Sequence, residues 1–214
     1  YLVKKGDTSV KLFDYFNNNQ EIEIHLNPLL DPGANLKAIF NKAKKAQTAL
    51  VEVKKQIDLV TKEIYYLETI LFQLSIANNF DLEEIKTELS LNGYLKATFR
   101  TKKKASKMDF LSFVVDDITI LVGKNNTQND YLTHKLASSN DYWFHAKDIP
   151  GSHVIVRIPN NDPEYEMSEK LIRTAANLAA YYSKGQTSGS VPVDYTKIRN
   201  LKKVPGTKGS FVTL

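Results

Sequence analysis

The chain has 214 residues, 42% of them hydrophobic and 25% charged, the balance of a globular protein with room for one good core or for a compact domain plus an extended element. The absence of Cys excludes disulfides, thiolate nucleophiles and cysteine-type zinc sites, and no apolar run reaches the length of about 18 residues that a membrane helix needs. The net charge of +5 is uneven: residues 1–96 carry 12 Lys/Arg against 13 Asp/Glu, and residues 97–214 carry 17 against 11, which directs any polyanionic partner to the second half.

The opening YLVKKGDTSV has neither Met nor a signal-like leader and reads as the interior of a longer protein. Two alternating runs around NNNQ predict a β-hairpin over residues 8–26. Asp31-Pro32 marks a helix start, and from Leu36 to Leu74 apolar residues follow at spacings of 3 and 4 without a break. This predicts one helix over 32–77, on the order of 60 Å long, with a coiled-coil seam. Such a seam calls for a partner, either a helix upstream of Tyr1 or a second copy of the chain. A short helix is expected over 81–92, started by Asp81 with Glu84 three residues on and stopped by Gly93.

From residue 97 the texture changes, and the second domain is expected to run over 97–214. RTKKKASK (100–107) reads as an exposed, mobile basic linker, and FLSFVVDDITILVG (110–123) as a hairpin turning at Asp116-Asp117. A short helix follows, capped by Asn125 or Asn126. YWFHA and HVIVRI then read as strands, and residues 168–184 as an amphipathic helix starting at Ser168. The pattern lacks a strict βαβ rhythm, so the fold class is α+β with a mainly antiparallel sheet.

Candidate chemistry concentrates in DYWFHAKDIPGSHVIV (141–156). With Pro150-Gly151 at the centre of a turn, Asp148 faces His153 and fixes the corner, while His145 and His153 point to opposite faces. A loop of odd length would put both on one face. A metal site would need a third ligand, and His134 and His25 lie far away in sequence, so no metal is expected. Ser152 beside His153 is not a nucleophile elbow, and VGKNNTQND is no phosphate-binding P-loop, so no catalytic residue is assigned. The binding reading fits better. Trp143, His145 and Lys147 alternate onto one strand face, as stacking on RNA requires, although a lone Trp is as often core. Lys124, Arg157, Lys202, Lys203 and Lys208 would add phosphate contacts.

ILVGKNNTQNDYLTHKLASSNDYWFHAKDIPGSHVIVR closely resembles the core of the RNA-binding domain of NFACT proteins, the ribosome quality-control factors of the RqcH/NEMF type, also called fibronectin-binding protein A-like. NPLLDPGANLKAIFNKAKK and EIYYLETILFQLSIANNFDLEEIKTEL look like the family's coiled-coil middle segment. The motif positions include Lys124, Asn125, Asn126, Asn129, Trp143, His145 and His153, and Lys124 stands where many relatives have Arg, losing a bidentate fork.

The resemblance implies a non-enzymatic, cofactor-free binding module. Its partners would be the large ribosomal subunit with peptidyl-tRNA (rRNA and the stalk base) and tRNA recruited for C-terminal alanine tailing. The resemblance implies that the family's N-terminal domains, tied to tailing, lie outside these residues. The implied location is the cytoplasm, without membrane insertion. The other reading is an adhesin at the cell surface that binds fibronectin, although no signal peptide is visible.

Overall fold

The computed structural model describes residues 2–96 and 108–213, so the expected linker at 100–107 lies outside the described residues. The chain falls into two units, one ending at Val60 and one beginning at Thr61.

In the first unit, β1 (Ser9–Asp14) and β2 (Gln20–His25) form an antiparallel hairpin in the register Ser9↔His25 to Asp14↔Gln20. Asn18 and Asn19 take positive φ at its turn, the conformation that Asn tolerates better than most residues. Helix α1 (Pro32–Ile76) follows, with the Asp31 carboxylate accepting from the Ala34 N–H at 2.9 Å. Asn35 is buried beside this cap, where it accepts from the Asn27 N–H at 2.8 Å and donates to the Asn27 carbonyl at 3.0 Å. The heptad positions Leu36, Leu50, Val53 and Val60 stand exposed along α1.

The second unit begins in the last turns of α1. Helix α2 (Asn79–Leu91) starts two residues before the expected Asp81. Asn78 is the cap, and Asp81 completes the capping box by accepting from the Asn78 N–H at 2.9 Å. The sequence rule pointed to Asp81 and Glu84, but the Asn side chain three residues upstream does the capping.

Five antiparallel strands form the main sheet in the order β3-β4-β6-β5-β7: β3 (Leu111–Val115), β4 (Ile118–Val122), β5 (Tyr142–Ala146), β6 (Val154–Val156) and β7 (Val193–Lys197). Asp116 and Asp117 both have positive φ, as a two-residue hairpin loop of the favoured hand demands. One face of the sheet carries Ile120, Val122, Phe144 and Val154 against helix α4 (Glu169–Tyr181), whose Leu171, Ala175 and Ala179 are fully packed. The small Ala side chains let α4 approach the sheet closely. The Ser168 hydroxyl caps this helix, accepting from the Leu171 N–H at 3.2 Å.

The opposite face is covered as well. Leu121, Trp143 and Ile155 pack there with Leu132. Leu132 belongs to a widened helical turn, Leu132–Leu136, that continues helix α3 (Asn126–Tyr131). Strands β8 (Lys202–Lys203) and β9 (Val212–Thr213) pair antiparallel, and Leu201 and Val212 pack against the same cluster. The fold is α+β, with a sheet buried on both sides.

Candidate functional site

The GKNNTQND stretch leaves β4 and forms a buried polar clasp. Its first requirement is Gly123, where a Cβ would collide with the Asn129 amide oxygen and crowd the Asn129 backbone nitrogen at 3.0 Å. The close approach lets Asn129 accept from the His153 N–H at 3.0 Å. Asn125 caps α3, accepting from the Gln128 N–H at 2.9 Å, and donates to Glu84 of α2 at 2.8 Å. Asn126 donates to Glu88 at 2.9 Å, and its carbonyl accepts from Gln73 of α1 at 2.9 Å and from Ser210 at 3.3 Å. Gln128 donates to Asp81 at 2.9 Å and to Glu84 at 2.8 Å. Lys124 is only 6% exposed, with its ammonium 3.1 Å from Asp81 and 3.2 Å from Asp109.

These distances give Lys124, Asn125, Asn126 and Asn129 a concrete role inside the chain. They tie α1, α2, the sheet and the C-terminal tail together. An RNA contact by any of them requires buried bonds to be exchanged, at about 1–3 kcal/mol for each group left unpaired. Asp81, Glu84 and Glu88 went unremarked as partners in the sequence, yet their helical spacing on α2 is the complement of a run of amides. Burial also pushes the Glu88 carboxyl above its usual range.

The other predicted cations are spread more widely. Arg157 pairs at 2.9 Å with Asp141, a fully buried carboxylate that also accepts from the Ser138 and Ile158 N–H groups at 2.8 and 2.7 Å. Lys208 reaches Glu63 at 3.2 Å and the Tyr94 hydroxyl at 2.7 Å, and Tyr94 also bonds Glu63. Tyr94 and then Glu63 raise the Lys208 ammonium, and Tyr94 and then Lys208 lower the Glu63 carboxyl. Lys203 is exposed and pairs with Asp130. Lys202 beside it is exposed, and Lys147 is exposed 3.8 Å from Asp194. Lys202, Lys203 and Lys147 are therefore the best placed of the predicted cations to meet a polyanion.

The expectation for the two histidines is corrected by the strand register. Phe144 pairs with Val154, which brings His145 opposite His153 one step further on, with ring centroids 5.5 Å apart. Both rings lie on one face, the outcome of the odd loop, and Asp148 is not opposite His153. Asp148 instead takes positive φ at 56° within a longer connection. The exposed aromatic face expected for Trp143 is corrected too. Trp143 and Phe144 are both buried, because the sheet has cover on both sides.

Trp143 lies nearly parallel to His145, 13° between planes at 5.6 Å, and edge-on to His153 at 5.3 Å. The His153 Nδ1 shares a hydrogen bond with the Thr133 hydroxyl at 2.7 Å. Desolvation lowers His145 to about 4, partly offset by a backbone hydrogen bond at Gly151 and by the Asp194 carboxylate. Desolvation, then the neighbouring His145 and His134, push His153 well below its ordinary value. Both rings are neutral at pH 7. Among the described residues no group of three or more His, Asp or Glu is placed to hold a metal ion.

Over these rings opens a cleft of about 620 Å³. It is lined by Trp143, His145 and His153, by Tyr65 and Tyr66 from α1 and by Phe211 from the tail. Lys147, Asp148 and Asp194 line it too. No sequence signal announces that the end of α1 and the tail meet over the YWFHA strand. The Trp143 indole N–H is buried there without an acceptor among the described residues.

Comparison with known proteins agrees with this architecture. Residues 1–108 match the family model of the NFACT N-terminal and middle domains, and residues 108–213 match that of the NFACT protein RNA binding domain. The chain is 42% identical to the Rqc2 homolog RqcH of Bacillus subtilis over 218 aligned residues, covering 100% of this chain and 37% of that protein. It is 40% identical to the Rqc2 homolog RqcH of Streptococcus suis, covering 99% of this chain and 37% of that protein. The chain thus spans well under half the length of these relatives. A solved structure of the C-terminal of the fibronectin/fibrinogen-binding protein from Streptococcus suis is 39% identical, with a TM-score of 0.73 over 85% of this chain and 72% of that one.

Proposed function

Because this chain belongs to the NFACT family, we propose that it is the RNA-engaging part of a ribosome quality-control factor. The observation that carries this reading is the match of residues 108–213 to the NFACT protein RNA binding domain. The surplus of 17 Lys/Arg over 11 Asp/Glu in residues 97–214 supports it. On this reading the protein works in the cytoplasm. It docks on the large ribosomal subunit that holds peptidyl-tRNA, near the stalk base, and serves the recruitment of tRNA for C-terminal alanine tailing. The part spanned here contributes binding and performs no chemistry. Lys202 and Lys203 give the phosphate contacts, since both are exposed on β8. Titration of tRNA against the chain tests this. Affinity should fall steeply with salt, and Lys202→Ala/Lys203→Ala should weaken binding and flatten that slope by about 2. Salt-independent binding, or a double variant that binds like the parent, counts against the reading.

A second reading is favoured by one observation, the likeness to the fibronectin/fibrinogen-binding protein of Streptococcus suis. It makes the chain a surface adhesin. Binding to immobilised fibronectin that survives raised salt, without binding to tRNA, would support it over the first.

A further inference from the structure

We infer that the cleft over Trp143, His145 and His153 receives one unstacked nucleobase of the bound RNA, with the adjoining phosphate held by Lys202. The inference rests on the RNA-binding reading and adds to it a subsite and the chemical group that fills it.

Shape comes first. A cleft of about 620 Å³ has room for a nucleoside and is far too small for duplex. Several of its lining side chains are rings. Tyr65 and Phe211 line it, half-buried, with ring centroids 5.3 Å apart and planes tilted 47°, and half-buried His145 lines it too. Base stacking on such rings is a principal way of holding single-stranded RNA.

Charge narrows the choice of ligand. The two histidines that line the cleft are neutral, so they do not attract a phosphate, and the His153 Nδ1 is already bonded to the Thr133 hydroxyl. Asp148 and Asp194 outnumber Lys147 among the charged residues lining the cleft, so a phosphate is repelled from the interior. A base carries no charge, and its amino and imino N–H groups are what carboxylates accept. Position supplies the last link. Val212 and Thr213 line the cleft, and β9 pairs them with Lys203 and Lys202 in the register Lys203↔Val212 and Lys202↔Thr213. A cation for the phosphate therefore stands one strand away from the wall that meets the base.

The test uses the 214-residue chain and a single-stranded heptauridylate carrying 2-aminopurine at its centre, beside the same oligomer with an abasic residue there. The expected result is a change in 2-aminopurine fluorescence on binding and affinity about tenfold weaker for the abasic oligomer. Tyr65→Ala should erase that difference and Tyr65→Phe should keep it, with both variants melting cooperatively. Equal, salt-sensitive affinity for the two oligomers overturns the base subsite and leaves the RNA-binding reading intact. Loss of all oligomer and tRNA binding by the parent overturns both. Displacement of the fluorescent base by N-acetyl-argininamide, at concentrations where sodium has no effect, would assign the cleft to a cationic side chain and overturn the inference.

Discussion

At the residue scale the histidine pair makes stability depend on pH. The folded pKa of His145, about 4, lies below the unfolded value near 6.5. Its contribution is therefore fully present above pH 6.5 and is lost as pH falls from there toward 4, because the unfolded chain binds the proton more readily. The loss by pH 4 is on the order of 3 kcal/mol for this one group. His153 shifts in the same direction, so its contribution adds over the same descent. Thermal melts across pH 7.5 to 4.5 should show a falling midpoint, and His145→Gln should flatten the fall relative to the parent. Gly123 is the second sensitive residue. Gly123→Ala pushes the Asn129 amide off the His153 N–H and should cost about 1–3 kcal/mol in urea unfolding.

At the element scale the clasp between α2 and the start of α3 decides which changes are tolerated. Lys124→Met leaves Asp81, which has no exposed surface, without its cation. The expected loss is about 3–5 kcal/mol, read as a lower denaturation midpoint with an unchanged slope. A loss below about 1 kcal/mol would show that Gln128 and the α2 cap suffice for Asp81. Helix α1 and both hairpins could be read directly from the chain, since heptad spacing and alternation are local signals. The cap of α2 is ambiguous in the sequence because both Asn78 and Asp81 suit that position, and only the fold chooses between them. The histidine register failed for a related reason. Turn length between β5 and β6 depends on how Asp148 bends, and a one-residue slip exchanges the two faces. The motif residues were legible as a set, but amides that hold helices together and amides that read RNA are spelled alike.

At the scale of the whole molecule, protection should differ sharply between the two units. In the unit ending at Val60, the hairpin leaves Phe13, Tyr15 and Phe16 exposed, Phe16 completely, so little apolar burial supports it. In the unit from Thr61, Ile120, Phe144, Val154 and Val156 are fully buried at the centre of the sheet. Hydrogen exchange should show β1 and β2 amides exchanging with the weakest protection, while β4, β5 and β6 amides exchange only through global opening. Similar protection in both would mean that the hairpin gains cover in solution.

The Asn126 amide carries a consequence for how this protein can be divided. It joins Gln73 and Glu88 to Ser210, which lies more than a hundred positions further along the chain. The two family models meet at residue 108, an inviting place to cut. A protein begun there keeps Lys124, Asn125, Asn126 and Gln128 but forfeits Gln73, Asp81, Glu84 and Glu88. The stretch that defines the RNA-binding domain by its letters would then face water with its ligands stripped away. The heritable module and the folding module have different borders, and the helices ahead of residue 108 belong to the second.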